Sequence, residues 1–374
     1  MSKSRKDIVR EDIPKPKPNE LSLLNLPNNL LLIPKGKTES VSITSFFKEN
    51  EITQVMGVLS NTCTTLHTLF QPSLTELADK AAAKLLEHVL KGEKQAVIDI
   101  LNKYKHPALL FLFRKAIAKD YSGRTINASP YQAALGAEDT DMLVMMETYF
   151  DKITDGRKQA LKQYKEQFPN GVKNARCDFN FRPLITVIKN DIFANHQPNE
   201  TTKKELQKFQ DYFTPKATDV IKTGKHFNMN ALIKAFEIYN QNYGSGSWWS
   251  EDQSSLFWRQ VIGYLQRLVP ACYAQAFCQG LYNVVEEKKP LVRDFKLDNG
   301  AVYYPLDRDH TSLLGKDFGV YSFGCGRRER ECGQGGCSNA LKKLCPAKAA
   351  ELRKFKTRLI LDHRSQGCQI VRYV

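Results

Sequence analysis

Residues 120–146 read Asp-Tyr-Ser-Gly-Arg-Thr-Ile-Asn-Ala-Ser-Pro-Tyr-Gln-Ala-Ala-Leu-Gly-Ala-Glu-Asp-Thr-Asp-Met-Leu-Val-Met-Met. Asp120–Arg124 is a polar turn. Ser129-Pro130 then pairs a helix N-cap with a proline in the first turn, where the missing N–H costs nothing. A short helix over Tyr131–Gly136 follows, and its successor places Met142, Leu143, Met145, Met146 and Tyr149 together. A polar turn feeding two short apolar-faced helices is the unit from which the fold is read.

Upstream, Ser73-Leu-Thr-Glu76 has the capping-box pattern. Leu77, Ala81, Leu85, Leu86, Val89 and Leu90 mark one face of that helix, and Gly92 stops it. A second helix runs from Glu93 to near Tyr104, and Leu109–Ala118 is expected as a further one. Residues 44–59 also predict a helix, while residues 1–20, with Pro14, Pro16 and Pro18, predict a flexible basic arm. Downstream, periodicity predicts helices at 155–168, 184–193, 201–213 and 228–243. Trp258, Val261, Ile262, Leu265 and Leu268 form another stripe, with Pro270 opening the next helix. Extended pieces are expected at 302–304 and 319–323, before a C-terminal helix pair. The expected fold is therefore mainly α. Its divisions are an arm at 1–20, a cap and helical module at 21–150, and a helical domain at 151–374 with a partly extended insert near 295–337.

The stretch Asp120–Leu135 resembles the turn and first helix of an ankyrin repeat, and 141–146 fits the second helix. The chain also resembles ankyrin-like effector proteins that Legionella-type intracellular bacteria deliver through type IV secretion. The resemblance rests on 120–146, on 257–275 (Phe-Trp-Arg-Gln-Val-Ile-Gly-Tyr-Leu-Gln-Arg-Leu-Val-Pro-Ala-Cys-Tyr-Ala-Gln), and on Ala340-Leu-Lys-Lys-Leu-Cys345 with Leu352. It implies export from the bacterial cytoplasm, work in the host cytoplasm and a host protein partner. Members differ in activity, so it carries over no reaction.

Composition frames these readings. The 374 residues are 42% hydrophobic and 25% charged, which excludes collagen, low-complexity disorder and a disulfide miniprotein. No secretory signal or membrane-length apolar run is found, so a soluble chain is expected. Its nine cysteines are then expected as reduced thiols. The net charge of +15 suggests acidic partners, and 14 basic against 7 acidic residues fall in 301–374. Lys342, Lys343, Lys348, Arg353, Lys354, Lys356 and Arg358 are expected to stripe exposed helix surface, where they would meet anionic lipid headgroups or nucleic acid.

Candidate chemistry gathers in the Cys/Gly-rich segment. Cys325, Cys332, Cys337 and Cys345 supply four thiols that would suit a zinc ion, although no close C-x2-C pair is present. Without such a pair no cofactor is expected. Cys325 is also the candidate nucleophile of a Cys–His hydrolase, with His310 or His363 as base. The loop Tyr243-Gly-Ser-Gly-Ser-Trp248-Trp249 is read as a connection, with Ser250 and Gln253 boxing the next helix and one tryptophan facing a partner.

The function expected first is an interaction protein that binds a host protein through the ankyrin-like surface, at Tyr121, Arg124, Asn127 and Glu138. The alternatives are an enzyme centred on the Cys/Gly-rich segment and an anionic-surface binder using the basic C-terminal helices.

Overall fold

The computed structural model describes residues 64–103, 108–173, 175–242, 249–296 and 336–370; within these, the side chains of 64–74, 108 and 362–370 stay undescribed. The chain divides into two units, Met1–Glu76 and Leu77–Val374. Of the first, the described residues are the opening turns of helix α1, Thr64–Leu90. That helix runs unbroken through Pro72 and Ser73, so the capping-box pattern at 73–76 lies inside it.

The second unit is predominantly helical. After Leu90 come α2 (Lys94–Lys103) and a 3-10 turn (Ala108–Phe113). Strands β1 (Ala116–Lys119) and β2 (Thr125–Ala128) follow, then α3 (Pro130–Gly136), α4 (Thr140–Glu147) and α5 (Gly156–Gln167). The helix expected at 109–118 is thus a 3-10 turn and a strand. Ala116–Lys119 alternates half-buried and exposed residues, a period of two that helical geometry does not produce. β1 pairs antiparallel with β2, and β2 pairs parallel with β3 (Val220–Ile221). Asp120 closes the β1–β2 turn, its carboxylate accepting from the backbone N–H of Ser122 and Arg124, with Gly123 at φ +84°. The expected N-cap is present. Ser129 and Gln132 form a capping box ahead of Pro130.

Beyond α5 lie α6 (Arg182–Asn190), α7 (Glu200–Phe213) and α8 (Met229–Asn242), each within two or three residues of its expected place. α9 (Glu251–Phe257) has the expected Ser250–Gln253 capping box and passes through a π turn, Trp258–Gly263, into α10 (Tyr264–Arg267). α11 (Ala271–Gln279) and α12 (Leu281–Val285) complete this part. The C-terminal pair is a single helix, α13, spanning Gly336–Ile370 with Pro346 inside it. A proline removes one helical hydrogen bond and crowds the preceding turn, which is why the sequence suggests a break there. Burial on both sides of Pro346 keeps the helix continuous: Leu341, Leu344 and Cys345 precede it, and Ala349 and Leu352 follow.

Two apolar clusters form the core. One gathers α1 from Ala81, α2, α3, α4 and α5 around Tyr131 and Phe150. The other joins α6 through α12 around Phe236, Phe257 and Tyr273. α13 serves both, with Cys337–Cys345 in the second cluster and Leu352, Phe355 and Leu359 in the first. Among the described residues no helix is long and apolar enough to cross a membrane.

Candidate functional site

An open groove of about 790 Å³ is bounded by the segment before α6, by α8 and by α13. Its first wall is Arg176, Cys177, Phe179 and the start of α6. Two side-chain amides moor that segment, Asn228 donating to the Arg176 carbonyl (2.8 Å) and Asn230 to the Ala175 carbonyl (2.6 Å). Phe179 is backed by Phe181, Phe209, Tyr212 and Phe213, with ring centroids 5.0–5.5 Å away. The second wall is one face of α8: Asn230, Ile233, Lys234, Glu237, Ile238 and Gln241 recur at helical spacing. Lys342, Cys345 and Pro346, one turn of α13, make the third. A recess of about 170 Å³ adjoins the groove, with Asn230 and Cys345 lining both and Lys173 and Lys225 lining the recess.

The groove carries four cations, Arg176, Arg182, Lys234 and Lys342, and one anion, Glu237. Lys342 donates to Glu237 at 2.7 Å from across the groove, and Lys234 stands 3.6 Å from the other carboxylate oxygen. Partial burial alone would raise the Glu237 carboxyl, but the hydrogen bond and charge of Lys342, with Lys234, outweigh it and hold it below the usual range. The nearby thiols are pushed the other way. Burial raises Cys177, and burial followed by the charge of Glu138 raises Cys345 to about 11, so both stay protonated at neutral pH.

Behind Cys345 lies a buried ionic network around the loop that joins α3 to α4. Asp139 caps α4 by accepting from the Met142 N–H, and it receives both terminal nitrogens of Arg293 at 2.6 Å. Arg293 also donates to Asp141, which takes a further bond from Lys94. Glu138, in the left-handed region at φ 56°, pairs with Lys225 (2.7 Å) and accepts from the Tyr273 hydroxyl (3.2 Å). Lys348 donates to the Glu138 carbonyl, and its ammonium lies 5.1 Å from the Tyr273 ring centroid. Burial alone would lower Lys348, but the charges facing it, Asp139 and Glu138 among them, hold it raised. Burial pushes the Cys272 thiol up to about 12. Each carboxylate is paired with a cation, and the network ties one loop to α11, α13 and the segments that carry Lys225 and Arg293.

The residues singled out from sequence are placed as follows. Arg124 and Glu138 are buried rather than exposed at turn tips: Arg124 pairs with Asp120 and donates to the His226 carbonyl (2.7 Å). Tyr121 is half-buried, edge-on to Phe295, and Asn127 is half-buried on β2. Trp249 is buried against Phe257, while Trp248 lies outside the described residues.

The seven basic residues of α13 do not share one exposed face. Lys348 is buried; Lys342, Lys343 and Arg358 pair with Glu237, Glu286 and Glu147; Lys356 sits over Tyr164; Arg353 and Lys354 are exposed. Cys337 and Cys345 are buried in the apolar cluster. Cys325, Cys332, His310 and the side chain of His363 lie outside the described residues, among which no group of three or more His, Cys, Asp or Glu is placed to hold a metal. The groove cations Arg176, Arg182 and Lys234 went unnoticed in the sequence. Only Lys234 has a signal, the repeat Asn230, Lys234, Glu237, Gln241 on α8, a polar stripe beside the apolar one.

A family model described as the CBUA0006 C-terminal domain matches residues 231–359. The uncharacterized protein CBUA0006 of Coxiella burnetii (strain RSA 493 / Nine Mile phase I) is 26% identical over 191 residues, 51% of this chain and 46% of that protein. The match thus spans about half of each. No solved structure matches. Coxiella is related to Legionella, which agrees with the broad part of the resemblance, but the match names neither an ankyrin nor an effector family. Over α8 to most of α13, two of the three groove walls included, the chain is similar to the C-terminal domain of this Coxiella protein.

Proposed function

We propose that the chain is an interaction protein that holds a segment of a partner protein in the groove between residues 175–186, α8 and α13. The observation that carries this reading is the groove's make-up. It is open to solvent, floored by Phe179, Phe181, Ile185 and Ile233, and rimmed by amides and cations, with a size in the range of about 300–1,000 Å³ usual for ligand clefts. The thiols beside it are held protonated, which suits a binding surface rather than a nucleophile. The resemblance to Legionella-type effectors is the ground for taking a host protein as the partner and a host cell as the setting.

A photo-crosslinking residue placed at Gln241, exposed on the groove wall, tests the reading inside infected cells. It should give a discrete adduct with a host protein, whereas the same residue at Gln207, on the solvent side of α7, should give none. Equal labelling from both positions, or none from Gln241, would overturn it.

A further inference from the structure

Resting on that reading, we infer that the occupant of the groove is an acidic segment of the partner, and that Glu237 is a built-in competitor holding the place of its carboxylate. The first support is the imbalance of charge: four cations face one anion across an apolar floor. The second is how those cations are used. Lys342 and Lys234, from two different walls, converge on the Glu237 carboxylate. Arg176 and Arg182, both exposed on the first wall, have no ion-pair partner among the described residues. A guanidinium presents a planar fork that matches a carboxylate with two parallel bonds, so two unpaired forks beside an occupied lysine pair describe a row of carboxylate positions.

The third support is the kind of neutral group present. Asn180, Thr186, Asn230 and Gln241 offer donors and acceptors suited to a peptide main chain, and the aromatic floor suits an apolar side chain between the acidic ones. A phosphate-rich polymer or a membrane surface would use the cations but leave that floor uncovered. Glu237 then acts by exchange. A partner carboxylate takes Lys342 and Lys234, and the displaced Glu237 turns to solvent, so that non-acidic segments gain nothing by entering. The device selects for charge at some cost in affinity.

The test is panning of a random peptide library displayed on phage against the full-length chain, followed by binding measurements on a soluble copy of the most enriched peptide. Enrichment of Asp and Glu around an apolar residue is the expected result. E237Q should tighten that peptide about threefold, the scale of one partly exposed ion pair. R182Q should weaken it by a similar factor, with a shallower salt dependence. A K234E/K342E double variant should shift the selected peptides towards basic residues. Melting curves of these variants, whose positions are exposed or half-buried, verify that the fold is kept. Recovery of neutral or basic peptides, unchanged or weaker binding by E237Q, or displacement of the peptide by phosphatidylserine vesicles or single-stranded RNA would each overturn the inference. A discrete Gln241 adduct together with any of those results would leave the docking groove standing and remove only its acidic occupant.

Discussion

His226 shows how far one side chain reaches here. Its backbone N–H donates to the Gly136 carbonyl (2.8 Å), and its ring lies so close that a Cβ on Gly136 would stand 2.3 Å from Nε2. Gly136→Ala should therefore cost about 1–3 kcal/mol or more through overpacking, read as a fall in melting temperature. Burial, followed by the charge of Arg124, lowers the His226 pKa to about 3, with Asp120 pulling weakly the other way. The folded protein thus keeps the imidazole neutral down to a pH where the unfolded chain has long taken up a proton. Stability from this group is full above about pH 6.5 and is lost as pH falls towards 3, amounting to about 2 kcal/mol by pH 5. Urea unfolding at pH 7 and pH 5 should show that loss, and His226→Gln should flatten the slope over the same window. At this scale the sequence was legible where the signal is local. Ser129 and Ser250 cap their helices as their neighbours imply, whereas nothing adjacent to Arg124 or Glu138 tells that a partner about a hundred residues away buries it.

Among the elements, α13 departs most from what its residues suggest alone. Pro346 and the run of basic residues describe a broken, solvated pair, but Lys348 is inside, bonded to the Glu138 carbonyl. Lys348→Met should leave the carboxylates of Glu138 and Asp139 short of a counter-charge and cost about 1–3 kcal/mol, measured by denaturant melts. Pro346→Ala should do the opposite, restoring a helical hydrogen bond at an exposed position and raising the unfolding free energy by about 1 kcal/mol or more, read from a higher denaturant midpoint. Helices α5 to α8 were readable because each keeps its apolar residues on one face. The 109–113 stretch was not, because all five of its residues are apolar and those that are buried, 109, 111, 112 and 113, follow no single period.

For the molecule as a whole, helical class and element order follow from periodicity, but the groove does not. Its walls come from residues 176–186, 230–241 and 342–346, and only tertiary packing shows that they face one another. The two apolar clusters share α13, whose Leu352, Phe355 and Leu359 complete a core otherwise built from residues 81–168. A ribosome releases residues 81–168 well before those three are made. The early helices must wait with an uncovered apolar seam while nearly two hundred residues follow, so this chain is expected to need a holding chaperone during synthesis, and to finish folding only when its last long helix is laid down.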